Sequence, residues 1–216
     1  MLTLVFSSLK ATEVFMKVIH YLVKSKKAKT HKKRVKWLRK GIKLLYSDIF
    51  SGVKYKKADA FVIHSNLTYL MSNYDFNEDL EIELFKVFFC LDEEPLAPIA
   101  LYLLHKEDKS TLYLSELIAK IGSVCFSKDM NLCGFKIETI MNSSDDPKLI
   151  FWCLYALATL DIKSSISSVK KYIYDKRRVD TLMGPSGYAY LYEEAQWAFD
   201  ILNGKNNDPA WMDRIS

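Results

Sequence analysis

Apolar residues recur at intervals of three and four along most of this chain, and only seven glycines and five prolines stand among its 216 residues to interrupt them. That spacing puts apolar side chains on one face of an α-helix, whereas a protein of many short strands needs alternating polarity and frequent turn residues. The fold class expected is all-α, an irregular stack of antiparallel helical hairpins. Half the residues are apolar and 13% are aromatic, which is enough to fill a core and excludes a disordered chain. The length suits a single domain spanning residues 1–216, read as a basic helical part, 1–58, followed by a hairpin stack, 59–216.

Val14, Val18 and Leu22 mark one helical stripe, and Val35, Leu38, Ile42 and Leu45 a second, from about His31 to Phe50 and closed by Gly52. Residues 58–73 and 78–90 predict two more helices. Asn77 caps the latter, and Glu78, Asp79 and Glu81 fill its first turn, where the helix dipole favours anions. Pro95 then opens a helix whose buried face is Leu96, Ile99, Ala100, Leu103 and Leu104. After a polar break at 106–110, Leu114, Leu117, Ile118 and Ile121 complete a hairpin.

A second hairpin follows. Asp146 caps, Pro147 opens a helix that is apolar nearly all round from 149 to 160, and Asp161 turns the chain. Ile162, Ile166, Val169 and Ile173 line the return helix. The first helix of this pair should lie in the interior with neighbours on several sides. A short helix at 135–141 separates the hairpins, and the stretch YLYEEAQWAFDIL forms a last one.

Charge is unevenly spread. Residues 1–58 carry sixteen Lys or Arg against Glu13 and Asp48, while the remaining 158 carry fifteen against twenty-four acidic residues. Eleven of the basic residues fall within 24–43. On the second helix Lys32, Lys33, Lys36, Arg39, Lys40 and Lys43 lie off the apolar stripe as one cationic face. That face fits a solvated surface, a protein partner or a nucleic-acid grip with Trp37 as a stacking ring. The bias to Lys over Arg suits solubility better than bidentate phosphate recognition, and the apolar side of the helix is needed for the core rather than for a membrane. Lys10, Glu13 and Lys17 break the apolar N-terminus, so neither a signal peptide nor a membrane span is expected. Cys90, Cys125, Cys133 and Cys153 form no Cys-x-x-Cys pair and are expected as buried free thiols in a reducing cytoplasm.

No catalytic signature is present. His20, His31, His64 and His105 lack metal-ligand spacing, and neither a metal nor a cofactor is implied. Met183-Gly184-Pro185-Ser186-Gly187 has no Lys-Ser/Thr to complete a phosphate cradle and reads as a linker. The acidic pairs and triplets Asp92-Glu93-Glu94 and Asp145-Asp146 precede Pro-opened helices, where capping accounts for them; Glu193-Glu194 stands alone. Tyr188, Tyr190 and Tyr192 alternate before Trp197, so on a helix they spread over more than one face, serving core and interface alike.

DDPKLIFWCLYALATLD and EEAQWAFDILNG resemble HEAT-type repeats over roughly residues 94–204, with Pro95 and Pro147 further apart than the usual repeat length. The same hairpins resemble helical-repeat DNA glycosylases. Small Lys-, Tyr- and Phe-rich helical chains of this size also resemble the immunity proteins that bacteria make against contact-delivered toxins. The resemblance to immunity proteins implies a protein-binding module that blocks the active site of a cognate toxin, a nuclease by preference. Stacked hairpins would bring Asp92, Glu93, Glu94, Asp145 and Asp146 to one rim, a carboxylate edge suited to a cationic cleft. With Tyr188, Tyr190, Glu193 and Glu194 these are the expected partner-binding residues. The alternative is nucleic-acid binding through the basic segment.

Overall fold

Asp146 does what its position beside Pro147 predicts: its carboxylate accepts the Leu149 N–H at 2.8 Å, and the helix that follows is the centre of its half of the molecule. In a computed structural model, residues 2–52, 55–90, 96–106, 111–124, 133–180, 187–205 and 208 are described, with the side chains of 2–14, 111, 112 and 124 excepted. The described residues are 79% helical, with one small two-stranded sheet among them. It divides into two compact units, Met1–Leu103 and Leu104–Ser216, a boundary later in the chain than the change of character at residue 58. Pro95, Cys125 and the 183–186 stretch lie outside the described residues.

The first unit is built on α1 (Leu2–Lys27), α2 (His31–Phe50), α3 (Lys57–Asn73), α4 (Glu78–Cys90) and most of α5 (Ala97–Leu104). α1 packs along α2 and α3, and α4 packs on α2. Their core is Val18, Leu22, Leu38, Ile42, Leu45, Ile63, Leu67, Leu70, Leu84 and Phe88, the stripes the spacing predicts, except that Val35 is only half-buried and the Val14 side chain lies outside the described ones. The α1–α2 turn is pinned by short polar contacts. The Ser25 hydroxyl donates to the Arg34 carbonyl at 2.9 Å, the Arg34 guanidinium donates to the Ala28 carbonyl at 2.7 Å, and Thr30 caps α2. Gly52, at φ +78°, ends α2 in a conformation that glycine adopts without strain. α5 joins this unit through Tyr102, whose hydroxyl accepts the Phe76 N–H at 2.9 Å and lies 3.3 Å from both Asp75 and Glu81.

The second unit holds α6 (Thr111–Val124), α7 (Gly134–Ser143), α8 (Pro147–Thr159), α9 (Ile166–Val169), β1 (Arg178–Asp180), β2 (Tyr188–Tyr190) and α10 (Leu191–Leu202). α8 packs against α6, α7, α10 and β1, which is why its sequence is apolar on nearly every side. The two helices expected as the first hairpin, α5 and α6, belong to different units. In the second hairpin the turn at Asp161 forms with φ +52°. The return helix is shorter than the apolar spacing predicts. Residues 163–172 run as a 3₁₀ turn, the single turn α9 and another 3₁₀ turn, because Ser165 bonds back to the Ile162 carbonyl at 2.7 Å and Ser168 turns away to Glu138. β1 and β2 then pair antiparallel, with Val179 opposite Ala189, so Tyr188 and Tyr190 lie on a strand and only Tyr192 on the helix α10.

Candidate functional site

Two surfaces gather the residues that sequence reasoning singles out, one in each unit. In the first, Lys32, Lys33, Lys36, Lys40 and Lys43 are all exposed on α2. His31, Lys32, Val35, Lys36, Arg39, Lys40, Lys43 and Asn77 line an open groove of about 640 Å³. Arg39 differs from its neighbours. Its Nε donates to Glu83 Oε2 on α4 at 2.9 Å, so this cation is committed inside the unit. Beside the groove the Trp37 ring stacks on Tyr21 at 5.7 Å and 13°. The ammonium groups of Lys24, Lys40 and Lys36 stand 4.6, 5.2 and 5.6 Å from the indole centroid. Sequence reasoning names Trp37 as a ring for a base; the structure uses it as a support that holds lysines in place.

The second surface is an edge of the C-terminal unit. Segment 172–178 is its hub. The Arg177 guanidinium forks onto Asp175 at 2.7 to 3.1 Å and also donates to the Asp145 carbonyl at 2.8 Å. The Leu191 N–H donates to the Arg177 carbonyl and the Tyr192 N–H to the Asp175 carbonyl. These bonds bring Asp145, Tyr190 and the start of α10 to one place. Arg177 holds the Asp175 carboxyl below its ordinary value, chiefly through its side-chain hydrogen bonds. Burial raises the Tyr172 phenol, which donates to the Met141 carbonyl at 3.0 Å. Ile173, Tyr174, Lys176, Tyr190 and Tyr192 line a groove of about 500 Å³. Tyr174 is 89% exposed and Tyr192 38%, Tyr190 stacks on Tyr192 at 5.7 Å, and the Arg178 guanidinium lies 4.4 Å over Tyr188.

The acidic residues fare less uniformly. Asp145 is exposed, and Asp146 is half-buried as the cap of α8. Glu193 is buried and accepts the Tyr190 N–H at 2.9 Å, closing the first turn of α10. Glu194 is fully buried, so neither presents a carboxylate to a partner in this conformation. Asp92, Glu93 and Glu94 lie outside the described residues. Trp197 is buried, stacked on Tyr155 at 5.8 Å. Tyr174 and Ile173 are members of the edge that sequence reasoning missed; their signal was only the cluster KKYIYDKRR, which reads as a helix end.

Among the described residues no group of three or more His, Cys, Asp or Glu is placed to hold a metal ion, and no helix is long and apolar enough to cross a membrane. Cys133 and Cys153 are buried free thiols, Cys133 pushed up to about 12 by burial and Cys153 raised by the same cause. Cys90 is exposed, contrary to the expectation of burial. It follows two phenylalanines in sequence, but the last turn of α4 turns it outward. Comparison with protein-family models, characterised proteins and solved structures gives no match.

Proposed function

We propose that this chain is a protein-binding module of HEAT-like helical build, acting as an immunity protein that occupies the active site of a cognate toxin. The observation that carries the reading is the tyrosine-lined groove of the C-terminal unit, with Tyr174 almost fully exposed on a segment tied down by Arg177. Tyrosine supplies large contact area at low entropy cost, and exposed aromatic residues on a rigid support are the usual anchors of tight interfaces. Charge beside the groove is mixed, with Asp145 and Asp180 near Lys176, Arg177 and Arg178. Asp145 is the exposed carboxylate offered to the cationic cleft of a nuclease. Affinity then rests on the tyrosines, with carboxylates helping encounter and register.

The test is capture of the partner from the native host, followed by its co-expression with the chain. The captured protein is expected to be toxic alone and harmless with the wild-type chain. The Tyr174→Ala/Tyr192→Ala double variant is expected to lose at least about tenfold in affinity, and with it protection. A chain that retains no protein, or a double variant that protects as well as wild type, would remove the proposal.

A further inference from the structure

The cationic face of the first unit is independent of the tyrosine edge. We infer that the groove along α2 is a binding site for the phosphodiester backbone of nucleic acid, with Trp37 organising its lysines. Three ammonium groups, from Lys24, Lys36 and Lys40, crowd within 5.6 Å of one indole centroid. Among the described residues, none of the three is paired with a carboxylate. Three cations gathered around one ring with no carboxylate among them make a site that an anion would stabilise. The crowding is built rather than incidental: Tyr21 of α1 backs the Trp37 ring, and α1 and α2 are locked together through Ser25, Arg34 and Ala28.

Spacing selects the kind of anion. Lys32, Lys36, Lys40 and Lys43 stand four, four and three residues apart along one side of α2, a rise of about 6, 6 and 4.5 Å between successive cations. This is a ladder suited to a chain that repeats a negative charge at regular intervals, as a sugar-phosphate backbone does. An anionic membrane would want an apolar face beside the lysines, and here Leu38, Ile42 and Leu45 are buried in the core. Lysines act as point charges without a fixed fork, so the site reads backbone rather than base sequence. Val35 in the groove gives unstacked bases an apolar surface, which favours single strands over duplex.

The experiment is fluorescence anisotropy of labelled oligonucleotides of mixed sequence, single-stranded and duplex, titrated with the full chain. Single strands are expected to bind, and to lose about 50- to 130-fold in affinity between about 50 and 200 mM salt, as four or five phosphate contacts require. Lys36→Gln/Lys40→Gln is expected to lower the salt slope by about 1.4, two contacts' worth. Trp37→Leu, with all lysines kept, is expected to weaken binding while leaving the slope nearly unchanged. Tyr174→Ala should bind as wild type, which separates this site from the protein-binding edge. The inference is overturned by absence of binding at low salt, by a Lys36→Gln/Lys40→Gln variant that binds as wild type, or by tighter binding to polyglutamate or anionic vesicles of matched charge. Equal thermal unfolding of the variants guards against misfolding as the cause of loss.

Discussion

At the scale of single residues, three measurements have sharp expected outcomes. Gly122 on α6 faces α8 so closely that an added Cβ would stand 2.8 Å from Tyr155 Cδ1 and 3.0 Å from the Ala156 Cα. Backbone cannot yield as a side-chain tip can. Gly122→Ala is therefore expected to destabilise by about 1–3 kcal/mol, overriding the gain of about 1 kcal/mol that alanine brings to a helix. Gly41→Ala meets Leu22 Cδ2 at 3.2 Å, with Leu22 Cγ and Tyr21 Cβ at 3.5 Å, side-chain atoms rather than backbone, and should be less costly than Gly122→Ala. Urea unfolding of the two variants checks the ranking. Asp175 carries a pH signature: its folded-state carboxyl lies below the ordinary 3.8, so as acid is added the unfolded chain takes the proton first. The fork to Arg177 stabilises above that pH and is lost as pH falls through the lower folded value. Since Arg177 is 42% exposed, the effect is about 0.5–1 kcal/mol. The stability gap between wild type and Asp175→Asn should close as pH drops below 3.8. The thiols give a third measurement. Alkylation of the native protein should modify exposed Cys90 at least about tenfold faster than buried Cys133 and Cys153.

At the scale of elements, α8 governs its unit because it is apolar on nearly every side and packs against α6, α7, α10 and β1. Its start rests on one cap. Asp146→Ala removes the acceptor of the Leu149 N–H and is expected to cost about 1 kcal/mol, a fall of roughly 2–4 °C in melting temperature for a chain of this size. Asp146→Asn keeps an acceptor and should recover most of that loss. The helices were legible from their apolar spacing because period is a local property, and α2, α4 and α8 begin and end close to where their caps and turn residues place them. The break at 163–172 and the β1–β2 pair were not. Serine side chains compete with helix only once Glu138 and the Ile162 carbonyl are within reach, and three-residue strands are too short to show alternation.

At the scale of the molecule, the contrast between basic and acidic segments lies largely inside the first unit. Residues 59–103 carry one lysine against nine acidic residues, and residues 104–216 carry fourteen Lys or Arg against fifteen Asp or Glu. The acidic stretch is thus folded into the same unit as the basic hairpin, where Arg39 and Glu83 meet. Electrostatic attraction to polyanions should therefore be carried by α2 and screened strongly by salt. The near-neutral second unit should bind its partner with weak salt dependence.

Residue order alone determined the all-helical character, the cationic face of α2 and the cap of α8, because each follows from neighbours three or four positions apart. Only tertiary structure decided that Glu193 and Glu194 turn inward and that Tyr174 joins Tyr190 and Tyr192 across a groove. The same holds for Trp37, which carries lysines from two helices. Those outcomes depend on which distant segment covers a given face, and the periodicity of a single helix holds no information about what will pack upon it.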